Sequence, residues 1–249
     1  MPLSARPCFL ILAYALCLLT FTGCRTPAAL ITLPAVTYTT PDQAIDLLAA
    51  RRDAVRTVQA QADLILTPAR GQPQSLSAQL VHDAPDRVRM RASKLNHNVM
   101  DLTVTDEAAW IAVSSRVTDE APDAEAGLAR LAEALPFLVR GPDYRRANAA
   151  GKPSGGQLTL IWNDNLSARL DAATLTPLRF TLTDPQQPDD APVVIEPVYT
   201  LYNGTAWLRS AVATGGFGRI ALTFFDVELN AKLNPRAFKP PRRATRHPR

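Results

Sequence analysis

Hydrophobic positions along the chain change period several times, and each change marks an element. An uncharged apolar run, Cys8 to Phe21, comes first, with Gly23-Cys24 just after it. From Thr40 the spacing turns helical: Ile45, Leu48, Val55 and Val58 fall near one face, while Arg51, Arg52, Asp53 and Arg56 can stay wet. Thr40-Pro41-Asp42-Gln43 supplies a start signal, with Thr40 as cap, Pro41 at the first helical position and Gln43 placed to close a capping box.

After Val58 the period becomes two. Val58, Ala60, Ala62, Leu64 and Leu66 alternate with polar neighbours, which predicts a strand. Short turns then separate further strands at 74–82, 87–92, 99–105 and 108–113. Strands joined only by such turns must pair antiparallel. From Pro122 the helical period returns, with Leu128, Leu131, Leu135 and Leu138 on one stripe and Pro136 expected to bend or end the helix. The glycine-rich stretch 141–156 reads as a flexible connection. Six more strands follow at 157–162, 166–170, 175–183, 193–202, 205–213 and 219–229, with Asn203-Gly204 as a strong hairpin signal.

About eleven strands with two amphipathic helices imply an α+β chain that is mostly β. A sheet this long must curl to hide its apolar face, and the helices are available to cover it. The expected fold is a half-open antiparallel β-barrel with a helical lid.

The leading run changes where this domain is expected to sit. A short positive start, an uncharged core too short to span a bilayer comfortably, and a small residue before Cys24 fit an export signal ending in a lipid-attachment site. A plain secretory signal or a lone membrane anchor is the alternative. Phe21-Thr22-Gly23-Cys24 resembles a bacterial lipobox, which implies that the Cys24 thiol carries a lipid anchor. The resulting organisation is a signal peptide over 1–23, a tether over 24–39, the barrel over 40–230 and a basic, proline-rich tail over 231–249. Arg25, where an inner-membrane retention signal would place Asp, favours the outer membrane by analogy with the enterobacterial rule.

Charge refines the picture. The formal net charge is +4, yet from Lys232 onward the chain carries bases up to Arg249 and no acid. The basicity lives in that tail, read as a solvated end that could touch anionic headgroups. Catalytic chemistry finds no support. His82, His97 and His247 fall on a strand end, a turn and the tail, with no nucleophile elbow and no spaced histidine cluster beside them. With Cys24 spent on lipid and Cys8 and Cys17 in the signal, no thiol remains for a metal or disulfide. No enzyme activity, metal, cofactor or nucleic-acid partner is expected.

The apolar positions of the sheet and lid are the candidate site. Leu64, Leu66, Leu80, Val88, Met90, Leu102 and Trp110 are candidate wall residues. Leu128, Leu131, Leu135 and Phe137 are candidates from the lid. A filled core and a lipid-binding cavity are both compatible with them.

Several short stretches resemble the LolA/LolB family of periplasmic lipoprotein carriers and outer-membrane receptors. They are Pro85 to Arg91, Met100 to Asp106 followed by Ala109-Trp110-Ile111, Leu170 to Phe180, and Phe238-Lys239-Pro240-Pro241. The resemblance implies a concave cavity that takes acyl chains of lipids or lipoproteins and passes them to the outer membrane. Carriers of that family have an arginine before the proline of the early turn, where this chain has Ala84. The receptor has an exposed leucine after the basic strand, and Leu95 occupies the matching place, which implies a membrane contact. The competing reading is a structural or sensory envelope lipoprotein with a solid barrel that binds a partner protein.

Overall fold

The computed structural model describes residues 33–114, 132, 134–151, 153–163, 165–183, 191–241 and 244–248. One sheet dominates them. Strands β1 (Thr57–Pro68), β2 (Gln74–Asp83), β3 (Arg87–Lys94), β4 (His97–Val104) and β5 (Ala108–Val113) form a meander. A second run comprises β6 (Asn148–Ala149), β7 (Gln157–Asn163), β8 (Leu166–Asp171), β9 (Pro177–Leu182), β10 (Val193–Tyr202), β11 (Thr205–Gly215) and β12 (Gly218–Leu229). β1 pairs with β12, so the two meanders fuse into a single open antiparallel sheet. β13 (Thr245–Pro248) adds to β5 and forms one edge, with β6 at the other.

Among the described residues the strand count is thirteen rather than about eleven. The two additions, β6 and β13, are two and four residues long, too short for alternation to register. They lie in the stretches expected to be a flexible connection and a solvated tail. The connection is held by a 3-10 turn, Tyr144–Arg146, whose Tyr144 is buried. The tail is held by a second 3-10 turn, Pro235–Phe238, with Phe238 buried, and by the pairing of Thr245 with Ile111 and of His247 with Ala109. The last residues of the tether are fastened as well, since the Val36 N–H donates to the Ala173 carbonyl at 2.8 Å and Leu33 is buried.

Helix α1 (Pro41–Ala54) starts as its sequence dictates. The Thr40 hydroxyl accepts from the Gln43 N–H at 3.3 Å, and the Gln43 side chain reaches back to the Thr39 N–H at 2.8 Å. Its apolar face, Ala44, Ile45, Leu48 and Ala49, is buried. A second helix, α2, has its described residues at 132 and 134–140. It continues past Pro136 to Arg140, and Gly141, with φ +78, ends it in the left-handed conformation that glycine tolerates.

Alternation decides which face of the sheet is inside. Val58, Ala60, Ala62 and Leu64 on β1, Leu76, Ala78 and Leu80 on β2, Val88, Met90 and Ala92 on β3 and Met100, Leu102 and Val104 on β4 are all buried. With Leu158, Leu160, Ile195, Leu222 and the inner residues of both helices they form one cluster. A flat sheet of this many strands would be roughly 60 Å wide, so one shared core requires it to curl around the helices.

Candidate functional site

The concave face collects most of the predicted wall residues. Leu64, Leu80, Val88, Met90 and Leu102 are essentially inaccessible and belong to the common core, and Leu66 is half-buried against it. α2 contributes Leu135, fully buried, and Phe137, whose ring meets the edge of Phe180 at 4.8 Å between centroids. Trp110 is not part of this group. It sits opposite Thr103 on β4 and Arg246 on β13, on the convex face, because Ile111 and Ala109 occupy the inward positions of β5. Leu128, Leu131 and Cys24 lie outside the described residues.

At one end of the core a cavity of about 60 Å³ opens between α1, α2 and the sheet. Its apolar lining includes Leu48, Val55, Val139 and Trp207, and Arg51, Arg52 and Arg140 line it too. Among the described residues no acid lines it, although acids pair with two of the arginines. Arg52 lies 3.6 Å from Asp53 and 3.9 Å from Asp143. Arg140 donates to the Pro85 carbonyl at 3.1 Å and to Asp53 at 3.4 Å, while Arg51 donates to the Thr174 carbonyl at 2.6 Å. The Arg145 hydrogen bond holds the Asp53 carboxyl below its ordinary range. Tyr144 and Tyr199 also face the cavity, and burial pushes both phenols up, so they stay neutral.

His82 is the least expected member of this lining. It is wholly buried, and its Nδ1 lies 3.1 Å from the Arg87 carbonyl. A carbonyl can only accept, so Nδ1 carries the proton and Nε2 is left as a bare acceptor. Nε2 has no partner among the described residues. Burial lowers the His82 pKa to about 4, against a partial upward pull from the Arg87 carbonyl, so the ring is neutral at pH 7.

The sequence contained a signal for His82. The inward alternation Leu76, Ala78, Leu80, carried one step further, places His82 on the concave face. Arg51 and Arg52 were expected to stay wet, yet the Arg52 side chain is only 12% exposed. Nothing in the helical period of α1 announces that the loops around Thr174 and Asp143 fold over its last turn.

Leu95 is 88% exposed at the β3–β4 turn. Leu95 and Asn96 have φ of 50° and 65°, the pair of left-handed residues that a tight type I′ hairpin demands. Among the described residues no helix is long and apolar enough to cross a membrane.

Comparison with solved structures places this architecture. A LolA superfamily protein from Nitrosomonas europaea superposes with a TM-score of 0.53 at 8% identity, over 81% of this chain and 98% of that one. The chain has a LolA-like fold. A DUF1329 family protein from Desulfovibrio piger gives a TM-score of 0.54 at 12% identity, again over 81% of this chain and 98% of the other. No protein-family model and no curated protein sequence matches the chain. At these identities the LolA-like likeness establishes the curled sheet and its helical cover, and the residues of the concave face must speak for themselves.

Proposed function

We propose that this protein is a non-enzymatic envelope lipoprotein, anchored through Cys24, that takes acyl chains of lipids or lipoproteins against its concave face and passes them to the outer membrane. The observation that carries this reading is the continuous apolar inner face of an open LolA-like sheet, closed by two amphipathic helices rather than by a second sheet. Helices resting on a sheet through side chains alone can be displaced without breaking a strand ladder. Leu95, held out in a hairpin beside Lys94, offers a contact for an anionic membrane during transfer.

Native mass spectrometry of the purified protein tests cargo directly, with co-purified lipid as the expected result. Palmitate labelling tests the anchor: Cys24→Ser should abolish labelling, processing and membrane retention, and unchanged labelling would place the anchor elsewhere.

One observation favours a second reading. The cavity of about 60 Å³ is far below the roughly 300 to 1,000 Å³ of ordinary ligand pockets. An acyl chain therefore has to displace α1 or α2 to enter. If wild-type protein takes up neither co-purified lipid nor a fluorescent fatty acid, the barrel is a solid scaffold whose outer surface serves an envelope protein partner.

A further inference from the structure

The cavity beside His82 is too small for an acyl chain but is built from groups that an apolar core does not need. Three guanidinium groups line it, with no acid among the described residues of the lining. Among the described residues, Arg52 Nε and Arg140 Nε are buried donors without a partner, and His82 Nε2 is a buried acceptor without one. Unpaired buried polar atoms are costly, and native structures normally satisfy them with protein, water or ligand. A ligand that answers all three must be anionic, to meet the guanidinium donors, and must also offer a hydroxyl, to meet the imidazole lone pair.

A carboxylate supplies acceptors only and would set a lone pair against Nε2. A phosphate monoester in its singly protonated form supplies both kinds of group, acceptor oxygens and one P–OH donor. About 60 Å³ holds a few water molecules or a head group of similar size. Leu48, Val55, Val139 and Trp207, around the same cavity, connect it to the apolar core. We propose that this cavity is a head-group pocket for a phosphate monoester, with Arg51, Arg52 and Arg140 binding the anionic oxygens and His82 Nε2 accepting from the P–OH. This rests on the acyl-carrier reading for the apolar part of the ligand, whereas the phosphate part stands on the pocket itself.

Calorimetric titration of the purified full chain tests it, with dodecyl phosphate, dodecanoate, dodecanol and inorganic phosphate as probes. Dodecyl phosphate should bind at least roughly tenfold more tightly than dodecanol, the gain expected of a charge-assisted hydrogen bond. The double variant Arg51→Gln, Arg52→Gln should erase that gap. Equal affinity for dodecyl phosphate and dodecanol in the wild-type protein overturns the head-group pocket and leaves the acyl-carrier reading standing. A gap that survives in the double variant overturns it too, because the anion is then held elsewhere, for instance by the basic C-terminal segment. Dodecanoate binding as tightly as dodecyl phosphate removes the part assigned to His82. Binding of inorganic phosphate with no gain from the dodecyl chain upholds the phosphate pocket and sinks the acyl cargo. Failure of all four probes to bind overturns both.

Discussion

Arg89 and Asp101 form a two-pronged ion pair across β3 and β4, with Nε at 2.8 Å from Oδ1 and Nη2 at 2.7 Å from Oδ2. Both side chains are nearly inaccessible, although they lie on the convex face of the sheet. The cover is the C-terminal segment: Arg89 Nη1 donates to the Ala237 carbonyl at 2.7 Å, and the Phe238 ring packs over Arg87. The remaining guanidinium edge of the pair thus fastens the chain that goes on to form β13.

Removing one partner leaves a buried charge alone. Asp101→Ala should cost about 3 to 5 kcal/mol and loosen the 231–248 segment, whereas Arg89→Met with Asp101→Leu should be near neutral for the sheet. Urea denaturation gives the first quantity. Hydrogen exchange at the backbone of β13 reads the second, and unchanged protection there in Asp101→Ala would show that the segment is held by Phe238 and the strand pairing alone.

Leu95 occupies a left-handed backbone conformation that costs a leucine about 1 kcal/mol more than it costs asparagine or glycine. Leu95→Asn should therefore raise stability by about that amount, and Leu95→Glu should leave the melting temperature nearly unchanged. Both substitutions should weaken binding to vesicles containing anionic lipid and slow transfer of a fluorescent acyl chain into them. A variant that is more stable and transfers equally well would make Leu95 an ornament of the turn.

Legibility in the sequence followed the length of each pattern. β1 was readable because its alternation runs on from Val58 through Leu64, and the end of β10 because Asn203-Gly204 fixes the turn that follows it. β6 and β13 were not, because a two- or four-residue strand is created by the edge it joins. The inward positions Leu64, Leu80, Val88, Met90 and Leu102 follow from local alternation. Trp110, a candidate for the same wall, points outward, as the register of β5 against β4, with Thr103 facing Trp110, reveals. The arginine-lined cavity was illegible for another reason: it joins α1, β2, α2 and β10, elements far apart in sequence whose charged residues look solvated one at a time.

His82 should make stability depend on pH. Burial lowers its pKa from 6.5 to about 4, with Arg140 adding to the shift and the Arg87 carbonyl, Asp83 and Asp86 opposing it. Between these values the unfolded chain binds more protons than the folded one, so stability rises with pH across this window and levels off above it. The penalty for charging the buried ring, absent at neutral pH, approaches about 3 kcal/mol below pH 4. His82→Phe should flatten the dependence between pH 4 and 6.5, costing about 1 kcal/mol at neutral pH for the lost bond to Arg87 and losing that disadvantage as the wild-type ring charges in acid. Asp53 and Asp171, whose pKa values are lowered, weaken the fold only below the ordinary carboxylate range, which separates their effect from that of His82. Denaturation in phosphate-free buffers at several pH values reads the slope, and an identical slope in His82→Phe would assign the dependence to other groups.

Leu135 gives a test that separates a carrier from a solid barrel. It is fully buried on α2, in the cover that an incoming acyl chain would have to displace. Leu135→Ala removes most of a side chain from a packed interior, which typically costs 2 to 5 kcal/mol, so a lowered denaturation midpoint is expected on either reading. The readings differ in what fills the space. An apolar cavity left by such a truncation stays dry and accepts apolar guests. If the concave face receives acyl chains, the guest should be the end of a chain, and a fluorescent fatty acid should bind the variant more tightly than the wild type and restore part of the lost stability. Leu135→Glu should abolish that binding, because the carboxylate would have to be buried beside the chain. If Leu135→Ala loses stability but binds the fatty acid no better than before, and the wild type does not bind it, the core is a scaffold rather than a seat for cargo.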